Sequence, residues 1–336
     1  MKATREIVAK KAGVSVSLVS DVLNGTRGVS EKSRRKVLDA VNELNYVPDF
    51  ASRSLRNKSV DHIAIVTEDL LNPIFSEVIN GIESAAAERK YFVSICERRD
   101  SITDFTRYIA AHKINGVYLA ISPQNFDNAD LEYLLSNNVK VLTGLKIAKF
   151  AAYADKMSYV FTDFYAGIDE TLKYLTGLGH NAIAFLSHSE NLENDIRLPA
   201  FKKLTKVYGL ESAFTLCSET RFPDDVETGI ILAKKLFESK KPVTAVVCHN
   251  DMIAYGFIKF CVGSGIKVPG DISVVGIDDL YFSSVFEPGL TSLGYDKKAY
   301  GRLIFDTLYN DIVNGVKAEV FFPSKLTIRD SVKKLN

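Results

Sequence analysis

Three apolar runs in this chain end in clusters of hydrogen-bonding side chains. Val160-Phe161-Thr162 leads to Asp163, Val246-Val247-Cys248 to His249-Asn250-Asp251, and Val274-Val275-Gly276-Ile277 to Asp278-Asp279. Carboxylates beside an amide accept and donate hydrogen bonds side by side, which suits the vicinal hydroxyls of a small ligand. If the runs are strands of doubly wound sheets, their polar ends converge beyond the carboxyl edges, where such sheets bind ligands. The plainer alternative is that each strand simply ends in a polar loop.

Catalytic chemistry finds little support. No Gly-Lys-Ser/Thr phosphate loop and no Gly-x-Ser-x-Gly elbow occurs. Gly263-Ser264-Gly265 opens like a dinucleotide fingerprint, but Val268 holds the third glycine position, so the stretch reads as a helix end before a turn at Pro269-Gly270. The five histidines show no metal-ligand spacing, and His180 after Gly179 reads as a cap-and-turn residue. Cys96, Cys217, Cys248 and Cys261 show no redox or metal pattern and are expected to be reduced and mostly buried. No enzyme, cofactor or metal is expected.

The elements that must carry the polar clusters follow from periodicity. Strand patterns fall at 63–66, 92–96, 117–121, 139–142, 160–162, 183–186, 245–248 and 274–277. Amphipathic helical patterns between them include 75–89, 165–176 and 226–238. The alternation implies βαβ units and parallel sheets. About eight strands is large for one sheet, so two lobes are expected, each a doubly wound parallel sheet. No run of about 18 apolar residues exists to span a membrane, and no apolar leader pattern opens the sequence, so a cytoplasmic protein is expected.

Residues 1–46 read differently, as three short helices. Thr4, Ser15 and Ser30 cap them. The apolar sides are Ile7, Val8 and Ala12, then Val19, Val22 and Leu23, then Val37, Val41 and Leu44. Gly13 ends the first and Asn24-Gly25 the second, while Asn45 and Pro48 end the third. The spacing Thr4, Ala9, Gly13-Val14-Ser15, Val19, Val22 is a helix-turn-helix pattern, which lets a second helix lie in a major groove. Residues 1–59 hold 12 Lys+Arg against 6 Asp+Glu, whereas the rest holds 30 against 35. A basic head on an acidic body points to a polyanion met by the head alone.

The ordered segments GVSVSLVSDVLNG (13–25), VSEKSRRKVLDAV (29–41) and LNYVPDFASRSLR (44–56) resemble the head of the lactose-repressor (LacI/GalR) family. The resemblance continues through NPIFSEVINGIE (72–83), LGHNAIAFLS (178–187), RLPAF (197–201), HNDMIAYG (249–256), VPGDISVVGIDD (268–279), PGLTSL (288–293) and LTIRDS (326–331). It implies an all-α helix-turn-helix head (1–47), a hinge helix and linker (48–59) and a two-lobed periplasmic-binding-protein-like body (60–336) that binds an effector and dimerises. It further implies a homodimeric transcriptional regulator, a repressor, on double-stranded operator DNA.

Under that resemblance Val16, Ser17 and Asp21 fall on base-reading positions, with Arg5 and Arg27 as basic neighbours. Leu55 falls on the hinge wedge that unstacks a minor-groove step, and Arg53 and Arg56 are the expected phosphate partners. Ile74, Phe75, Asp163, Arg197, Phe222, Asn250 and Asp278 match effector-contacting positions. Three departures stand out: Phe164 where the family usually has an amide, Ala200 where it has glycine, and His249 before Asn250. They bear on the ligand, for which a sugar or sugar derivative is expected and a nucleoside or purine is the alternative. Two other readings stand behind this one, a transporter's solute receptor and a sugar-active enzyme with a DNA-binding head.

Overall fold

The computed structural model describes residues 3–24, 28–46, 60–67, 70–97, 102–120, 127–146, 148–189, 195–218 and 225–335. The chain divides into two compact units, Met1–Val60 and Asp61–Asn336.

In the first unit lie α1 (Arg5–Ala12), α2 (Val16–Asn24) and α3 (Glu31–Glu43). The sequence signals act as read. Thr4 Oγ1 accepts from Ile7 N, Ser15 Oγ from Leu18 N and Ser30 Oγ from Ser33 N. Gly13 takes the left-handed conformation (φ 66°) that closes α1. Val8, Ala9, Val19, Val22, Val37 and Ala40 form the buried centre. The small side chain of Ala9 fits the approach of the helices around it.

The second unit contains two six-stranded sheets. The first lobe is built from β1 (Val60–Thr67), α4 (Pro73–Glu88), β2 (Phe92–Glu97), α5 (Ile102–Ala111), β3 (Ile114–Ala120), α6 (Asn128–Ser136), β4 (Lys140–Thr143) and β5 (Ser158–Asp163). The chain then crosses to α7 (Phe164–Gly177), β6 (Ile183–Ser187), α8 (Arg197–Val207), β7 (Phe214–Cys217), α9 (Asp225–Glu238), β8 (Ala245–Cys248), α10 (Asp251–Gly263), β9 (Ser273–Asp278) and β10 (Thr291–Gly294). It returns through α11 (Lys297–Asn314) and β11 (Glu319–Pro323) and ends with β12 (Lys325–Thr327). Strand orders are β11-β5-β4-β3-β1-β2 and β12-β10-β9-β8-β6-β7.

Strand alternation builds both faces of each sheet. Ile63 and Ile65 face Val78, Ile82, Ile304 and Phe305 of α4 and α11, while Ala64 and Val66 join Ile109, Leu131 and Leu134 of α5 and α6. In the second lobe Ile183 and Phe185 pack on α7 and α8, and Ala184 and Leu186 on α9 and α10. Helices α4 and α11 touch backbone to backbone: a Cβ on Gly301 would lie 2.2 Å from Val78 O, and one on Gly81 2.4 Å from Lys298 O.

Two expectations need adjusting. The strands at 214–217, 291–294, 319–323 and 325–327 are not among those the periodicity predicts. The second sheet is also not wholly parallel, because β12 runs antiparallel to β10. β11 and β12 are edge strands of one C-terminal segment that crosses between lobes at Ser324, and β12, with three residues, is too short to show a period. Cys248 and Cys261 are buried and Cys96 and Cys217 half-buried, all as free thiols. Among the described residues no helix is long and apolar enough to cross a membrane.

Candidate functional site

In the head, Val16 is 39% exposed and Ser17 is exposed at the start of α2. Ser17 and Asp21 stand four residues apart and therefore share one stripe of the helix. Arg5 opens α1. Arg27, Arg53, Leu55 and Arg56 lie outside the described residues.

In the body, the second sheet reverses its strand order at β6, with β7 on one side and β8 on the other. Ligand crevices form at such a switch point, beyond the carboxyl ends of the strands. Ser187 and His188 leave β6 there, and His249 and Asn250 leave the paired strand β8. Arg197, the first residue of α8, reaches into this group. Its Nε donates to Asp195 Oδ1 (2.7 Å), its Nη1 donates to His249 O (3.1 Å), and its guanidinium lies over the Phe164 ring. No hydrogen bond among the described residues takes Nη2.

Burial sets the electrostatics. Asp195 is pushed up by burial, but Arg197 and His249 outweigh this and hold it at about 2. Burial works against the Arg197 charge, and Asp195 and Asp278 raise its pKa in compensation. His249 is held well below the usual histidine range by burial and by Arg197. His188 is lowered by burial and by Arg197, against the pull of Asp225. Burial raises Asp278 well above the carboxylate range, against the attraction of Arg197.

Asp278 is only 6% exposed, and no hydrogen bond among the described residues satisfies its carboxylate. It sits at φ 121°, a left-handed strain that an aspartate adopts only when its surroundings impose it. This strained carboxyl lies in the field of Arg197 and Lys297 and is open to a further hydrogen bond. The other expected contacts are partly committed. Asn250 Oδ1 caps α10 by accepting from Ile253 N, and its Nδ2 donates to Asp225 Oδ2 (2.6 Å). Asp163 Oδ1 accepts from Ala166 N at the start of α7. Ile74 and Phe75 are half-buried in the first turn of α4, with Ile74 packed on the first-lobe core. Phe222 lies outside the described residues.

Two of the departures gain a physical account. Phe164 is the platform under Arg197. Ala200 is 2% exposed within the second-lobe core, where its methyl group fills space. Sequence reasoning missed Asp195, His188, Asp225 and Tyr295. Asp195 had a signal: an aspartate just before an apolar helix start, and its Oδ2 indeed accepts from Leu198 N. Tyr295, whose ring stacks edge-on with Phe164 (6.4 Å), had none. His180 proves wholly buried, bonded to Thr244 Oγ1 and Lys333 O.

The histidine cluster is not a nucleophilic triad. Ser187 Oγ and Asp195 both approach Nδ1 of His249, at 3.3 and 3.8 Å, whereas a triad needs hydroxyl and carboxylate at opposite ring nitrogens. A depression of about 670 Å³ between α8 and β7, lined by Phe201, Lys206, Leu210 and Phe214, involves none of these groups.

Comparison with known proteins bears on both parts. The pattern of "Bacterial regulatory proteins, lacI family" matches residues 7–49, and that of "Periplasmic binding protein-like domain" matches 172–332. The HTH-type transcriptional repressor PurR of Vibrio parahaemolyticus serotype O3:K6 is 32% identical over 340 residues, covering 99% of this chain and 100% of its own. The Lac repressor bound to ONPG in its repressed state superposes with a TM-score of 0.83 at 25% identity, over 99% of this chain and 100% of that one. The complex of the transcriptional regulator CelR with cellobiose gives 0.69 at 24%, over 98% and 100%.

Proposed function

The chain belongs to the lacI family of bacterial regulatory proteins and is a DNA-binding transcriptional repressor rather than an enzyme; from that premise we propose that it is a cytoplasmic homodimer whose operator binding is set by a sugar or sugar derivative in the body's cleft. The head of residues 1–47 reads the operator through Val16, Ser17 and Asp21, with Arg5 and Arg27 beside them. The hinge of residues 48–59 inserts Leu55 and meets phosphates with Arg53 and Arg56. The body of residues 60–336 holds effector and partner subunit.

One observation carries the sugar reading: the buried Asp278 carboxyl group lies within the electrostatic reach of Arg197, whose Nη2 donates to no described residue. A carboxyl group and a guanidinium donor in one buried site suit the hydroxyls of a sugar, and a neutral ligand avoids adding charge to an already buried ion cluster. Ile74, Phe75, Asp163, Asn250 and Phe222 complete the expected lining, with Asn250 acting through Asp225. A purine or nucleoside is the second reading, because the PurR repressor is nearer in sequence than the cellobiose-bound regulator. Against it, the Phe164 ring already carries the Arg197 guanidinium on one face, which a stacked base could not then use. The homodimer draws support from large apolar side chains left in water around Tyr281, Phe282, Val285 and Phe286, which are 41–68% exposed.

A thermal-shift screen of the full chain against sugars and nucleosides tests the reading, since a bound ligand raises the melting temperature by mass action. The expected result is a shift with a sugar that Asp278→Asn abolishes. A shift with nucleosides alone overturns the sugar assignment. Failure to select any preferred sequence from a randomised DNA library overturns the operator assignment.

A further inference from the structure

The strained corner that carries Asp278 belongs to the second lobe, yet two residues of the first lobe grip it. Glu77 Oε1, on the second turn of α4, accepts from Tyr281 N (2.9 Å). Lys297 Nζ, at the first residue of α11, donates to Asp279 O. The two contacts bracket Leu280, one from an acceptor and one from a donor. Glu77 Oε2 and Lys297 Nζ stand 3.9 Å apart, which holds the two prongs together. Lys297 is only 8% exposed, an unusual place for a lysine unless its charge is used.

From its own lobe the corner is held differently. Asp251 Oδ2 accepts from Leu280 N (2.8 Å) and Ser283 Oγ, and Asp251 Oδ1 accepts from Ser292 Oγ. Asp279 N donates to Ser292 Oγ, and the Asp279 carboxylate takes Thr327 and Arg329. The backbone at Asp278 and Asp279 has positive φ at both positions (121° and 50°), so the peptide groups of the corner cannot turn without breaking one set of contacts. Glu77 and Lys297 thus connect the corner that follows Asp278 to α4 and α11. The same α4 begins with Ile74 and Phe75.

We propose that Glu77 and Lys297 form an interlobe clamp on the Asp278–Tyr281 corner and so fix the relative position of the two lobes in the body. They touch no ligand in this scheme and are positioning residues. The clamp itself is independent of what the cleft binds; its consequence for operator control rests on the repressor reading above.

The test needs neither effector nor DNA. In the full chain, hydrogen exchange is read at residue resolution by mass spectrometry for wild type, Glu77→Gln and Glu77→Ala. Glutamine keeps an acceptor for Tyr281 N but drops the attraction to Lys297; alanine loses both. Tyr281 N is expected to exchange several-fold faster in Glu77→Ala, up to about tenfold, with Glu77→Gln between, because one hydrogen bond to a carboxylate at the surface is worth about that factor. Leu280 N, held by Asp251, stays within twofold. In parallel, spin labels at Ser136→Cys in the first lobe and Lys234→Cys in the second report the interlobe distance, with Cys96 and Cys217 replaced by serine. The distribution is expected to broaden in Glu77→Ala. An unchanged Tyr281 amide, equal loosening of Leu280 and Tyr281, or an unchanged distance distribution overturns the clamp. Absence of selective DNA binding by the wild type, with these results intact, overturns the repressor reading alone.

Discussion

The guanidinium carbon of Arg197 lies 5.2 Å from the centroid of the Phe164 ring. Phe164 is the first residue after the chain crosses from β5 into the second lobe, and Arg197 is the first residue of α8. The ring therefore supports the cation from its face while Asp195 and His249 O hold it in its plane. Three sides of the fork are fixed before any ligand arrives. Such preorganisation reduces the ordering cost of binding.

Arg197→Ala removes a charged donor and leaves Asp195 and His249 uncompensated. Effector affinity should fall by about 1.5–3 kcal/mol, roughly 10- to 150-fold. Phe164→Leu keeps the fork and loses only its platform, for about 0.5–2 kcal/mol. Calorimetry with the compound that gives the largest thermal shift measures both, and unchanged affinity in both variants removes Arg197 from the site.

Stability against pH should carry the mark of the two histidines. His188 and His249 are depressed from their ordinary value of 6.5, chiefly by burial. The fold thus favours their neutral forms, and the stability they contribute is complete above pH 6.5 and lost as pH falls below it. Asp251 acts the other way: burial raises it to about 6, so its penalty grows as pH rises from 3.8 through 6 and is relieved on acidification. Because the two oppose, the readable quantity is a difference. Between pH 7 and 5 the melting temperature of wild type should drop further than that of a His188→Gln/His249→Gln variant. Parallel curves would mean that these histidines do not take up protons on unfolding.

Much of this arrangement could be read from the sequence because it is written in local signals. The caps at Thr4, Ser15 and Ser30, the αL glycine at 13, and the apolar runs ending at Asp163, His249 and Asp278 all survive in the structure. What escaped depends on contacts between distant segments. Glu77 meets Tyr281 across 204 residues, and Tyr295 reaches Phe164 only because the chain crosses between lobes more than once. No periodicity announces such pairs. The commitment of Asn250 to Asp225 was equally invisible, since an asparagine at a strand end looks the same whether it binds ligand or positions a neighbour.

Two glycine-to-alanine changes should shift stability in opposite directions. At Gly301 the new methyl would meet the Val78 carbonyl at 2.2 Å, and backbone of one helix against backbone of another has little room to yield. The expected loss is about 1–3 kcal/mol, as for overpacked cores. At Gly177, in the last turn of α7, nothing lies within 4 Å, and its backbone is not left-handed. Alanine there should stabilise by about 0.4–1 kcal/mol through the unfolded chain. Thermal melting of both variants decides this, and a neutral Gly301→Ala would mean that α4 and α11 pack less closely than described.

Asp21 makes the most specific prediction about DNA. It shares a stripe of α2 with exposed Ser17, beside exposed Val16. None of the three side chains can give guanine the bidentate contact of an arginine. Aspartate only accepts, so its direct use is a cytosine N4 amino group; otherwise it orients Arg5 or Arg27. Val16 suits a thymine methyl. If these three face bases, the direct code of this helix is weak, and DNA shape with hinge insertion should carry more of the selectivity. Asp21→Arg should raise affinity for DNA in general, because it replaces a charge that repels phosphates with one that attracts them. It should also move preference at the facing base pair toward guanine. Selection from a randomised library at one salt concentration, run on wild type and variant, compares the two. Identical motifs would show that Asp21 does not face a base.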